Sequence, residues 1–169
     1  NTFKIPDGLT FDRAISFTNS YATSVAALTW PHLLRLQAGQ TLLVHGAAGG
    51  VGLAAIETAK ILGATVIATA GSQAKLQAAR EHGADHVINY REGGFRATVN
   101  DLTDGKGANA VYDPVGGDVF TESLRCIAPE GRIMPVGFAS GTIPQIPANI
   151  LLVKNITVTG LNMGYYIGW

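Results

Sequence analysis

A single cysteine, Cys126, occurs in 169 residues. An internal disulfide is therefore excluded, and a structural zinc cage, which takes several Cys and His ligands at short spacing, has almost nothing to draw on. The four histidines, His32, His45, His82 and His86, are scattered without ligand spacing, so no metal is expected. Charge is scarce too: 14% of residues are charged, and twelve basic side chains balance twelve acidic ones. With no Lys/Arg block, neither nucleic acid nor an anionic membrane surface is an expected partner. No apolar run approaches bilayer-spanning length, and no signal peptide opens the chain. The unpaired cysteine points to a reducing compartment, the cytoplasm. No solenoid repeat or low-complexity segment is visible. The first residue is Asn1 rather than Met, and the last, Trp169, follows soon after a strand-like run; a piece of a longer protein is expected.

What is abundant is apolar residues, 47%, and glycine, 21 residues. That suits one domain with one sizeable core. Residues 1–38 read as a helical lead-in, "LTFDRAISFTNSYATSVAALTWPHLLRL", restarted or kinked at Pro31. From 39 to 169, strands and helices alternate. Thr41–His45, Thr65–Ala70, His86–Tyr90, Asn109–Asp113, Gly131–Gly137 and Ile156–Leu161 read as strands. Val51–Leu62, Gln73–His82, Gly94–Leu102 and Val119–Ile127 read as the helices between them. Gly63 and Gly83 close two of these helices, and Ser72 caps the start of one. The loop "SGTIPQIPAN" precedes the last strand. Alternating βα units with short turns call for an α/β fold, a doubly wound parallel sheet of Rossmann type with helices on both faces.

The stretch "VHGAAGGVG" lies between the first strand and the first helix of that pattern, where a glycine-rich turn has meaning. Amides opening a helix have no partner within it, and the helix dipole adds positive charge, so a pyrophosphate fits there. Gly49 lets the backbone approach phosphate, and Gly52 lets helix pack on strand. The usual dinucleotide pattern is G-x-G-x-x-G; here Ala47 takes the first position. The plain alternative is a tight turn without a ligand. In the helix beyond, Val51, Ala55, Thr58, Ala59 and Leu62 share one face, small enough for close contact with the sheet.

The end of the second strand selects the cofactor. A site for NAD places an acid there, on the ribose hydroxyls. This sequence reads "ATAGSQAKLQ", with no acid. Ser72 and Lys75 can reach a 2′-phosphate, and Tyr90 and Arg91 can approach from the third strand. NADP(H) is the cofactor this pattern predicts.

Together, "HGAAGGVGLAAIETAKILGATVIATAGSQAKLQAAREHGADHVINY", "VYDPVGG" and "GRIMPVG" resemble the quinone oxidoreductase (zeta-crystallin-like) branch of the medium-chain dehydrogenase/reductase superfamily, in its cofactor-binding domain. The resemblance covers nearly the whole chain, and A-A-G-G-V-G is typical of that branch. It implies that Ala48, Gly49, Gly50 and Val51 hold the pyrophosphate. It implies that Ser72, Lys75 and Tyr90 surround the 2′-phosphate. Thr23 then lies near the nicotinamide, Val115 and Gly116 line the cleft, and Val136, Gly137 and Phe138 flank the carboxamide. Residues 1–169 are then an NADP(H)-binding Rossmann domain, and the substrate domain of the family is absent from this chain. Hydride passes in such enzymes from NADPH to a quinone or enone, without zinc.

No catalytic residue is identified in this chain. His45 reads as a core or strand-end histidine and Cys126 as a buried packing residue. An enone or enoyl reductase, or a non-catalytic NADPH-binding protein of crystallin type, remain alternatives. The β-branched run "NITVTGL" near the end suggests an unpaired sheet edge. With the resemblance it predicts a homodimer, unless "NMGYYIGW" folds back over that edge.

Overall fold

Side-chain alternation along each strand decides how the layers assemble. In the computed structural model, which describes residues 4–168, β1 is Thr41–Val44, β2 Thr65–Ala70, β3 His86–Asn89, β4 Ala108–Asp113, β5 Ile127–Pro135 and β6 Thr157–Val158. They form one parallel sheet in the order β3-β2-β1-β4-β5-β6. The helices are α1 (Phe11–Ser16), α2 (Ala22–Thr29), α3 (Gly50–Ile61), α4 (Gln73–Glu81), α5 (Phe95–Leu102), α6 (Gly117–Cys126), α7 (Ala148–Lys154) and α8 (Met163–Ile167).

Leu42, Val44, Val66, Ala68, Tyr112 and Met134 enter one core with Ala27 and Leu28 of α2 and Ala55, Ile56 and Ala59 of α3. Their neighbours Leu43, Ile67, Val111 and Ile133 enter a second core with Phe95 and Val99 of α5 and Phe120 and Leu124 of α6. Strands apolar on both faces thus sit between two helical layers. This is the expected Rossmann-type α/β arrangement.

The differences from expectation are local. The lead-in is not helical as far as Leu36: a wide π-helical turn, Phe17–Tyr21, joins α1 to α2, and α2 ends at Thr29. Pro31 forces Trp30 into an extended conformation, ψ 138°. Leu33, Leu34 and Leu36 are buried without a helix, and the Leu33 carbonyl accepts a 2.7 Å hydrogen bond from Arg132 Nη1. α6 runs directly into β5, whose pairing with β4 shifts between Ala108 and Ala110. "ANILLVK" forms α7, a short helix unforeseen in the sequence and stopped at Asn155 in the left-handed region. β6 contains two residues rather than the six of Ile156–Leu161, because backbone pairing with β5 ends after Thr159 donates to Ile133 O. Among the described residues, no helix is long and apolar enough to cross a membrane.

Candidate functional site

β1 and β4 are neighbours at the centre of the sheet, and the chain leaves them in opposite directions, toward β2 and β5. Such a reversal opens a crevice at the carboxyl ends of the strands. Its two lips nearly touch: a Cβ on Gly46 would stand 3.1 Å from Pro114 Cγ and 3.4 Å from Val115 Cγ2.

The first lip is the glycine turn. Gly46 adopts φ +54°, the Ala47 amide donates to Thr69 O at 3.1 Å, and the Gly49 amide donates to Gly46 O at 2.9 Å. α3 begins at Gly50, so the amides of Gly50, Val51 and Gly52 have no acceptor within the helix, and its dipole makes that end positive. A Cβ on Gly52 would lie 2.7 Å from Gly46 O and 2.8 Å from Ala47 Cα. Only glycine lets α3 start directly against the turn.

Beside it lies a cavity of about 210 Å³, lined by Gly46, Ala48, Gly49, Ala70, Gly71, Lys75 and Tyr90. A Cβ on Gly71 would meet Tyr90 Oη at 2.7 Å and Arg91 Nε at 3.0 Å. Tyr90 and Arg91 therefore lie over Gly71, just past the end of β2. Neither Lys75 nor Arg91 has a salt-bridge partner among the described residues. Glu92 is turned aside, 2.5 Å from Asn89 Nδ2. Ser72 holds the N-cap position of α4, but its side chain makes no capping hydrogen bond. The capping role read from the sequence is not realised, which leaves that hydroxyl free.

The second lip joins the ends of β4 and β5. Asp113 is fully buried, and its Oδ1 accepts from the amides of Val115 at 2.7 Å and Gly116 at 3.1 Å. Burial raises its pKa, against the pull of those two amides. Gly116, at φ +72°, lies under the loop after β5: a Cβ there would stand 2.9 Å from Phe138 Cδ1 and from Thr142 O. The Ala139 amide donates to Pro114 O and the Ser140 amide to Val115 O. Val115 and Gly116 are thereby brought against the Val136–Phe138 segment. Thr23 is buried on α2, next to Ser24, whose Oγ donates to Val51 O at 2.9 Å. That bond ties α2 to the first turn of α3.

The structure thus gathers Ala48, Gly49, Lys75 and Tyr90 around one cavity, with Gly50, Val51 and Ser72 adjoining it in the chain. Asp113 escaped the sequence reading, although an acid closing a strand before Pro-Val-Gly-Gly is a turn signal. His45 sits at the end of β1 with Nδ1 2.8 Å from Thr69 Oγ1 and Nε2 2.8 Å from Ser123 Oγ. Ser123 Oγ donates to Val119 O, so it accepts the Nε2 proton, and Thr69 donates to Nδ1. His45 and Cys126 are both buried, as core residues.

The chain is similar to known proteins along its length. Residues 50–168 match the family model described as zinc-binding dehydrogenase. The quinone oxidoreductase-like protein 2 homolog of Nematostella vectensis is 49% identical over 163 residues, covering 96% of this chain and 44% of that protein. A quinone oxidoreductase of Pseudomonas syringae superimposes with TM-score 0.88 at 34% identity, over 98% of this chain and 51% of the other. The Escherichia coli quinone oxidoreductase complexed with NADPH gives TM-score 0.84 at 36% identity, over 96% and 50%. The chain spans about half the length of the curated relatives it matches. Among the described residues, no three His, Cys, Asp or Glu side chains gather to hold a metal.

Proposed function

Because this chain belongs to the zinc-binding dehydrogenase family, in the quinone oxidoreductase branch of the medium-chain dehydrogenase/reductase superfamily, we propose that it holds NADPH for an oxidoreductase acting on a quinone or a similar electron-poor small molecule. One observation carries the choice of cofactor. The cavity at the end of β2 is lined without a carboxylate, and Tyr90 and Arg91 stand over Gly71 beside it. A 2′-phosphate suits Lys75, Tyr90, Arg91 and the free Ser72 hydroxyl.

In this reading Ala48, Gly49, Gly50 and Val51 bind the pyrophosphate through their amides and the α3 dipole. Val115 and Gly116, braced by Asp113, and Val136, Gly137 and Phe138 line the nicotinamide end, with Thr23 on α2. Bound NADPH supplies a hydride, and these residues orient its ring and keep water away. No side chain of this chain is assigned a proton-transfer role. The protein acts as a homodimer joined at the β6 edge.

The test is NADPH oxidation by the full-length protein against a panel of quinones and enones. Turnover with quinones is the expected result; no oxidation of NADPH by any acceptor would reject catalysis, and turnover of enones alone would reassign the acceptor. Calorimetry should show NADPH bound more tightly than NADH. Lys75→Ala should weaken NADPH about tenfold and leave NADH unchanged, as loss of one charge-assisted hydrogen bond requires.

A further inference from the structure

At the amino ends of the strands, opposite the glycine turn, a second cavity of about 350 Å³ opens between the segment after α2 and residues 129–132 of β5. Arg35, Gln37, Gln40, Asn109, Glu130 and Arg132 contribute its polar lining. None of the three charged groups forms a salt bridge among the described residues, so two cations face one anion.

The hydrogen bonds already made determine what remains to be offered. Gln40 Oε1 accepts from the Gln37 amide at 2.9 Å, and Asn109 Oδ1 accepts from the Thr41 amide at 2.9 Å. Each carboxamide oxygen is thus turned toward a backbone amide, and each residue keeps its NH₂ group as a donor. Arg132 is anchored through Nη1 to Leu33 O at 2.7 Å and Pro31 O at 3.4 Å. This fixes the guanidinium while leaving further N–H groups on its fork. The lining thus carries two guanidinium groups against one carboxylate, with the Gln40 and Asn109 NH₂ groups as further donors.

Backbone conformation singles out the same place. Arg35 has φ +46° and Glu130 φ +62°, left-handed conformations that, among the described non-glycine residues, only Asp104 and Asn155 share. Two of these four strained positions rim one cavity, and retained strain of this kind concentrates at ligand sites. Gly131, in the same lining, admits no side chain, since a Cβ would lie 2.6 Å from Ile127 Cγ1 and 2.8 Å from Ala128 O. The cavity's volume lies at the small end of ligand sites, suited to a metabolite rather than a dinucleotide.

We propose that this cavity binds a small organic anion through a carboxylate or phosphoryl group held by Arg35 and Arg132, with Gln40 and Asn109 as supplementary donors. Glu130 weakens the positive field at this site. The site is separate from the glycine turn, and its existence does not depend on which cofactor that turn holds.

Titration calorimetry on the full chain tests it, with inorganic phosphate, glycerol phosphate and succinate as probes at constant ionic strength. Excess NADPH is present throughout, so that phosphate binding at the glycine turn does not contribute. Arg35→Gly removes one clasping cation and also relieves the left-handed strain. It should leave folding stability unchanged or raised while weakening probe binding about tenfold. Glu130→Gln should strengthen binding of inorganic phosphate. Binding of glycerol phosphate alone would identify the phosphoryl group, and binding of succinate alone the carboxylate. No binding of any probe, undiminished binding in Arg35→Gly, or unimproved phosphate binding in Glu130→Gln would overturn the proposal.

Discussion

His45 adjoins the glycine turn, with its ring buried and both nitrogens partnered by Thr69 and Ser123. Burial favours the neutral ring and pushes its pKa from 6.5 down to about 3. The unfolded chain takes up a proton as pH falls below the ordinary histidine value, whereas the folded chain does not. This contribution is therefore complete above the unfolded pKa of 6.5 and is lost as pH falls toward the folded value of about 3. The slope approaches about 1.4 kcal/mol per pH unit. Urea denaturation at stepped pH should show that slope in the wild type. His45→Gln should start from lower stability and lose that component of the slope; an identical pH dependence in both proteins would refute the buried neutral ring.

Among the elements, α3 depends most sharply on one residue. Gly52 faces the Gly46 and Ala47 backbone, which cannot yield as a flexible side chain would. Gly52→Ala should cost about 1–3 kcal/mol, the range for overpacking a tight contact. NADPH affinity should fall with it, since the helix end and the turn move together. Gly49→Ala is the control, because its Cβ would meet only Gly46 O, at 3.3 Å. Denaturation midpoints of the two variants check the stability cost, cofactor calorimetry on Gly52→Ala checks the affinity, and equal stability of the two variants would defeat the account. α3 is also held from outside: Glu57 accepts from Tyr21 Oη on the π-helical turn and lies 2.6 Å from His82 Nδ1 after α4. α3 and its flanking strands were legible in the sequence because their apolar spacing extends over whole turns. α7 was not, because seven residues with Leu152 and Val153 exposed carry too short a pattern to separate from loop.

For the whole molecule, the outer side of β6 has no strand beside it among the described residues. Leu152 and Val153 of α7, which leads into β6, are 80% and 78% exposed. Tyr166 of α8 packs edge-on against Trp30, at the end of α2, at 4.8 Å. An unpaired edge beside exposed apolar side chains suits pairing with a second copy about a two-fold axis. Light scattering of the full-length protein over a range of concentrations should report a dimer. A monomer mass persisting at high micromolar concentration would reject it, and charged substitutions at Leu152 and Val153 should shift the protein toward monomer.

The sequence alone determined the βα alternation, the glycine turn between Thr41–Val44 and α3, and the missing acid after Ala70. Each is written within a short window, where periodicity and backbone demands are local. The tertiary structure decided which distant segments meet. Tyr90 and Arg91 cover Gly71 because β3 lies beside β2. Phe138 covers Gly116 because β5 lies beside β4. Arg35 and Arg132 line one cavity because the segment before β1 packs across the base of β5. Strand order and packing set these encounters, and no local spacing along the chain encodes either.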